Sequence, residues 1–217
     1  MKNANHVGIG SRLITTFAIA VCALVGASSA RAQVWTEIGD AGPIVATAQV
    51  PLGTGALITI DGTLGASTDA DVYAVQMLAV APTGLPLIQS QCTVNQGPNI
   101  FLFDATGKGV FTTSICGGGN KTILAPLVAL PVGTYYVAIA FSGLDPQSAA
   151  GPIWLSFLSP QHAPDGAGAA QALTGWSGTP LVQPVNPYPI TLGNMGYVGG
   201  TVPTRRSKWS ALKLRYR

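Results

Sequence analysis

Apolar positions along this chain recur with a period of two. Thr134 to Phe141 shows it best: Tyr135, Val137, Ile139 and Phe141 fall on one face of an extended segment, and Tyr136, Ala138 and Ala140 on the other. Val72 to Met77 alternates in the same way. Leu57 to Ile60 is a short run ending in the turn pair Asp61-Gly62. Asn99 to Phe103 and Gly109 to Thr113 flank Asp104-Ala-Thr-Gly107, which predicts a hairpin. Ile153 to Phe157 and Tyr188 to Leu192 complete the set. Pro189 lacks an N–H, which predicts that the last strand lies near an edge or that the residue sits at a strand start. Beyond residue 32 no stretch keeps a helical period free of Gly and Pro. The expected fold is all-β: a two-sheet antiparallel β-sandwich, jelly-roll-like.

The longest apolar run, Leu13 to Ala27, breaks this pattern. It is shorter than the roughly 20 residues of a membrane-spanning helix. Lys2 and Arg12 precede it, and Ala30-Arg31-Ala32 follows with small residues where a signal peptidase reads. Residues 1–32 are therefore expected to be a cleaved signal peptide. A domain over 33–200 and a basic tail over 201–217 would follow, in a protein secreted, periplasmic or held at the cell surface. Within the domain, 159–187 reads as a long Pro-, Gly- and Ala-rich loop, with Trp176 expected to pin it to the body. Export leaves Cys92 and Cys116, and an oxidising compartment predicts a disulfide between them.

The net charge of +3 averages three unlike zones. From Val34 to Pro203 two bases, Lys108 and Lys121, face eight acids, a net of −6. The tail holds Arg205, Arg206, Lys208, Lys213, Arg215 and Arg217 and no acid. An acidic body excludes nucleic acid as the domain's partner. The tail's bases interleave with Trp209, Leu212, Leu214 and Tyr216. That pattern suits attachment to an anionic envelope surface; a solvated terminus and a degraded sorting signal are the alternatives.

Most catalytic chemistries lack their residues. His162 is the one histidine after residue 32, in the Pro-rich loop, where it is expected to be solvated. No Gly-x-Ser-x-Gly elbow is present, and two cysteines with one histidine fall short of a four-ligand zinc site. The remaining candidates are carboxylates. Asp69 and Asp71, two apart, have three readings: turn chemistry, calcium ligation, or a catalytic pair. Asp104 is the third candidate calcium ligand, and Asp40 could add oxygens.

Several motifs occur in a recognisable order: Gly39-Asp-Ala-Gly42, Thr54 to Leu64, Asp69-Ala-Asp-Val-Tyr73, Asn99 to Val110, Leu130 to Ile139, Asp145-Pro-Gln-Ser148 and Tyr188-Pro-Ile-Thr-Leu192. In order and spacing the chain from about Trp35 to Tyr197 resembles the bacterial pre-peptidase C-terminal (PPC) domain, in its stand-alone exported form. The resemblance implies a β-sandwich without catalytic activity, an accessory or binding role at the cell surface and, in some relatives, bound calcium or polymer. Two departures stand out. Where relatives carry an acidic stretch after the hairpin, this chain reads Thr113-Ser-Ile-Cys116. Val202-Pro203-Thr204 opens a tail like a sorting signal, but no apolar span follows.

Together these features lead to the expectation of a non-catalytic exported module that binds an envelope polysaccharide or surface protein, with calcium as a candidate stabiliser. One alternative is a structural or matrix protein that self-associates through sheet edges and the basic tail. The other is a small carboxylate hydrolase.

Overall fold

The computed structural model describes residues 33–91, 98–113, 116–117, 121–155, 161–180 and 186–200, with only the backbone at 116, 117, 121 and 186. The expected signal peptide, Cys92 and every tail residue from Arg205 to Arg217 lie outside the described residues, so the disulfide pairing with Cys116 does as well.

Eight strands build two facing sheets. In chain order they are β2 (Thr59–Leu64), β3 (Ala70–Met77), β4 (Ile88–Gln91), β5 (Pro98–Asp104), β6 (Gly109–Thr113), β8 (Lys121–Leu124), β9 (Gly133–Phe141) and β13 (Asn186–Leu192). One sheet runs β2-β13-β4-β8 and the other β3-β9-β5-β6, all antiparallel. Each chain-adjacent pair β2/β3 and β4/β5 crosses from one sheet to the other, which is the strand order of a jelly roll. Short strands extend the edges. Before β2, β1 (Val34–Thr36) pairs with it in parallel; β7 (Cys116–Gly117) borders β8, and β14 (Met195–Gly196) borders β3.

The alternation in β9 survives intact. Tyr135, Val137, Ile139 and Phe141 enter the core between the sheets, beside Ile60, Tyr73, Ile100 and Ile190. Ala138 and Ala140 face the other way and join a second core with Val72, Phe101, Phe103, Leu144, Ile153 and Trp154. The β3-β9-β5 sheet is thus buried on both faces. A third layer covers its outer face: β10 (Leu144–Ser148), paired with β11 (Gly151–Pro152) and β12 (Gly175–Gly178). The expected loop supplies part of that layer, and Trp176 pins it as anticipated. Its indole Nε1 donates to the Pro43 carbonyl at 2.5 Å, and its ring meets Phe101 edge-on at 5.2 Å. His162, expected in solvent, instead exchanges two backbone hydrogen bonds with Thr112 and stands 3.9 Å from Asp165.

Three expectations are corrected. Asp61-Gly62 is not a turn, because β2 runs through it. Ile153 and Trp154 are not in a strand: both are buried in the same outer core, which alternation forbids for neighbours in one strand. Third, β13 is central rather than at an edge, despite Pro189. Leu192 N donates toward β2, to Ile58, and Gly193 N toward β4, to Leu87. Counting back in steps of two, the nitrogens of Pro189 and Pro187 face the β4 side. There the ladder ends at the Ile190–Ser90 pair, so neither proline breaks a bond within it.

Phe103 is fully buried beneath the third layer, in edge contact with Trp154 at 5.6 Å. Phe103→Ala should cost roughly 3–5 kcal/mol in urea unfolding. A cost below about 1 kcal/mol would mean that this layer does not pack on the sheet as described.

Candidate functional site

Four acidic residues, Glu37, Asp40, Asp69 and Asp71, gather at one end of the sandwich. Asp71 is the second residue of β3, on the same face as Tyr73, Val75 and Met77, so its carboxyl points into the inter-sheet core. It is fully buried. Tyr188, from β13 in the opposite sheet, donates its hydroxyl hydrogen to Asp71 Oδ2. That leaves the Tyr188 oxygen to accept from Tyr73, 2.6 Å away. Asp71 Oδ1 has no hydrogen-bond partner among the described residues.

The segment after β1 brings two more carboxylates. Glu37 accepts from Ala41 N at 2.7 Å through one oxygen and from Thr63 N at 2.9 Å through the other. These bonds hold the Glu37–Ala41 bend, which turns at Gly39 with φ of 72°. The bend places Asp40 at the open rim. One carboxylate oxygen each from Glu37, Asp40 and Asp71 lie within 4.8 Å of one another. Asp40 is exposed, Glu37 half-buried and Asp71 buried, so the trio grades from solvent into the core.

Gly62 makes room for this arrangement. It lies across from Tyr188 in the sheet, and a Cβ on it would come within 2.5 Å of the Tyr188 hydroxyl and 2.7 Å of the Tyr73 hydroxyl. A strand glycine here lets two phenols meet between the sheets.

The electrostatics follow from the packing. Burial is the main cause that pushes the Asp71 carboxyl up to about 8; the negative charges of Glu37, Asp69 and Asp40 add to it, and the Tyr188 hydrogen bond offsets only part. Burial first, then the neighbouring Asp71 charge and further partners, also raises Tyr73. Tyr188 is raised by burial, then by Tyr73 and Asp71, so both phenols stay protonated donors. Asp69 is raised by burial and by Asp40, against backbone hydrogen bonds that lower it.

The expected ligand set is therefore redistributed. Asp71 belongs to the cluster. Asp69 stands beside it, but its Oδ2 accepts from Gly65 N at 2.6 Å, which is turn chemistry. Asp104 is elsewhere: it pairs with Tyr135, which pairs with Val75, four residues along β3 from Asp71 and two strands across. Its Oδ1 accepts from Thr106 N, Thr106 Oγ1 and Lys108 N at 2.8, 2.7 and 3.1 Å, closing the β5–β6 turn. Glu37 takes the place that sequence reasoning gave to Asp104. Its contact with Asp71 spans 34 positions, and no local pattern signals it.

No protein-family model matches the chain, and no curated protein matches it. Chemically, three neighbouring carboxylates, one of them with an unpartnered oxygen, suit a hard divalent cation, which takes its ligands from oxygen. Glu37, Asp40 and Asp71 would supply carboxylate oxygens to calcium, and its charge would keep Asp71 ionised inside the core.

Two outcomes are expected. With chelator present, the raised Asp71 pKa makes stability greatest below about pH 4 and lost as pH rises through about 8, because the unfolded carboxyl releases its proton first. Asp71→Asn should flatten that slope and be the more stable protein near pH 9; parallel urea titrations for the two would refute this origin. Separately, Gly62→Ala should cost roughly 1–3 kcal/mol by forcing the phenols apart. Near-UV circular dichroism should register the displaced tyrosines, and an unchanged spectrum with unchanged stability would count against the Tyr73–Tyr188 contact.

Proposed function

We propose that the chain is a non-catalytic exported β-sandwich module of the bacterial envelope or extracellular space. It binds an envelope polysaccharide or surface protein, and calcium held by Glu37, Asp40 and Asp71 stabilises it. The observation that carries the calcium reading is the Asp71 carboxylate: it lies with those of Glu37 and Asp40, and its buried Oδ1 has no hydrogen-bond partner among the described residues. A buried acceptor left unmatched costs about 1–3 kcal/mol or more, which a bound cation offsets. The module reading also draws on the resemblance to the PPC domain.

The same geometry argues against a carboxylate hydrolase. One of the three carboxyls, Asp71, is fully buried in the core, where a sugar does not reach it. Self-association through the edges of the second sheet is also disfavoured. Gln49 and β14 border β3 on its outer side, and His162 borders β6.

Retention on isolated envelope fraction tests the binding role, and failure to bind any fraction would refute it. Calcium at about 100 times its Kd should stabilise the chain by roughly 2.7 kcal/mol in thermal unfolding. Asp71→Asn and Glu37→Gln should abolish that gain, while Asp104→Asn keeps it. A gain that survives Asp71→Asn would place the ion elsewhere.

A further inference from the structure

Two loops at the end of the sandwich opposite the acidic cluster carry no charge, although the β5–β6 turn with Asp104 and Lys108 lies at that end as well. From Asp71 to Met77 the β3 strand climbs six residues, about 20 Å, and delivers the chain into the β3–β4 loop. This loop and the β8–β9 loop lie side by side. Ala81 and Leu130 exchange backbone hydrogen bonds at 2.9 and 3.1 Å, and Gly84 N donates to Pro126 at 2.9 Å. Asn194, in the left-handed region at φ 58°, ties in the chain after β13: its side-chain amide donates to the Ala79 carbonyl at 2.6 Å, and its own carbonyl accepts from Leu78 N.

These loops are uncharged. Residues 76–90, 122–144 and 186–200 contain no Asp, Glu, Lys, Arg or His. Their tips expose five aliphatic side chains: Val80 at 59%, Leu85 at 61%, Leu127 at 51%, Val128 at 60% and Val132 at 55%. Isolated surface aliphatics need no explanation, but five on two hydrogen-bonded loops form a patch. Beside them lies a groove of about 300 Å³ whose lining includes Leu78, Val132, Gly199 and Gly200. The chain therefore leaves the sandwich at this end. The 17 residues that follow carry six bases, no acid, and Trp209, Leu212, Leu214 and Tyr216.

We propose that this end of the sandwich is a membrane-docking surface, in which the Val80–Leu85 and Leu127–Val132 loop tips enter an anionic lipid surface beside the basic segment that starts at Thr201. Three features favour lipid over a protein partner. The exposed side chains are all aliphatic, whereas protein hot spots favour Trp, Tyr and Arg. Several loop amides and carbonyls are already paired with each other, which lowers the cost of placing them at an apolar boundary. An apolar insertion joined to a polybasic segment supplies the two signals that stable membrane attachment needs. The acids of the cluster lie at the far end of β3, away from the anionic headgroups.

The test uses the chain from Gln33 to Arg217, which holds every described element, on phosphatidylcholine vesicles with and without phosphatidylglycerol. Co-sedimentation should be strong on the anionic vesicles. Leu85→Asp with Val128→Asp, both at exposed positions, should weaken it by on the order of tenfold or more while leaving the melting temperature unchanged. Replacing the six tail bases by Gln should weaken it further and remove its salt dependence. Failure of the unaltered chain to bind anionic vesicles would overturn the proposal. So would binding indifferent to the loop pair, which would assign attachment to the tail alone. Loop-dependent capture of an envelope protein without vesicle binding would overturn it too, by making this end a protein interface.

Discussion

The β3-β9-β5 sheet is buried on both faces, and that constraint organises the molecule. A sheet packed on one side can alternate apolar and polar residues. One packed on both sides must be apolar or small at nearly every position, and Phe101-Leu-Phe103 and Val137-Ala-Ile-Ala-Phe141 have that composition. Small residues on one face of β9, Ala138 and Ala140, leave room for the ring of Phe101 from neighbouring β5 and for those of Trp154 and Trp176 that cover it. Charge is displaced to the ends of these strands. Asp71 is the exception inside, and its raised pKa measures what that exception costs.

An ionisable group within an apolar wall is tolerated when it is kept neutral or hydrogen-bonded. Here its neighbours come from both sheets and from the N-terminal segment. Tyr188 belongs to one sheet, Tyr73 and Asp71 to the other, and Glu37 to the bend after β1. Gly62 gives up a side chain so that the phenols can meet. The site therefore sits where three separate segments close the sandwich, and anything bound to the carboxylates bridges all of them. A cation there would act on stability more directly than on chemistry, which is why a stabilising role fits the geometry better than a catalytic one.

The sandwich was legible because its cause is local. Period-two alternation in β3 and β9 and the Asp104–Gly107 turn each lie within a few residues, and those strands formed close to where they were expected, whereas β4 and β8 were not anticipated. What failed depends on neighbours. Pro189 is compatible with a central strand because its partner on one side stops first, and no local pattern records where β4 ends. Asp61-Gly62 has turn composition, yet the glycine is there for a side chain more than a hundred residues away. Asp69 and Asp104 were grouped with Asp71 as three similar carboxylates. Two of them satisfy their own turns through backbone N–H groups, and of the three only Asp71, pointed inward by strand parity, holds a buried oxygen without a partner among the described residues.

That sorting separates Asp69 and Asp104 from Asp71 by a simple criterion: whether the carboxylate is already used by its own loop. The same criterion, applied to apolar groups, distinguishes the two ends of the sandwich. Most of the chain's large aliphatics are consumed by a core, whereas Leu85, Val128 and their neighbours are held outward by loops whose backbones bond to each other. Loops free to relax would fold such residues inward. Pairing between the loops keeps them exposed, so uncharged loops with outward aliphatics stand at one end of the sandwich and an acidic cluster with an unmatched oxygen at the other. The doubly buried sheet fills its own faces and leaves unmet valences only where its strands stop.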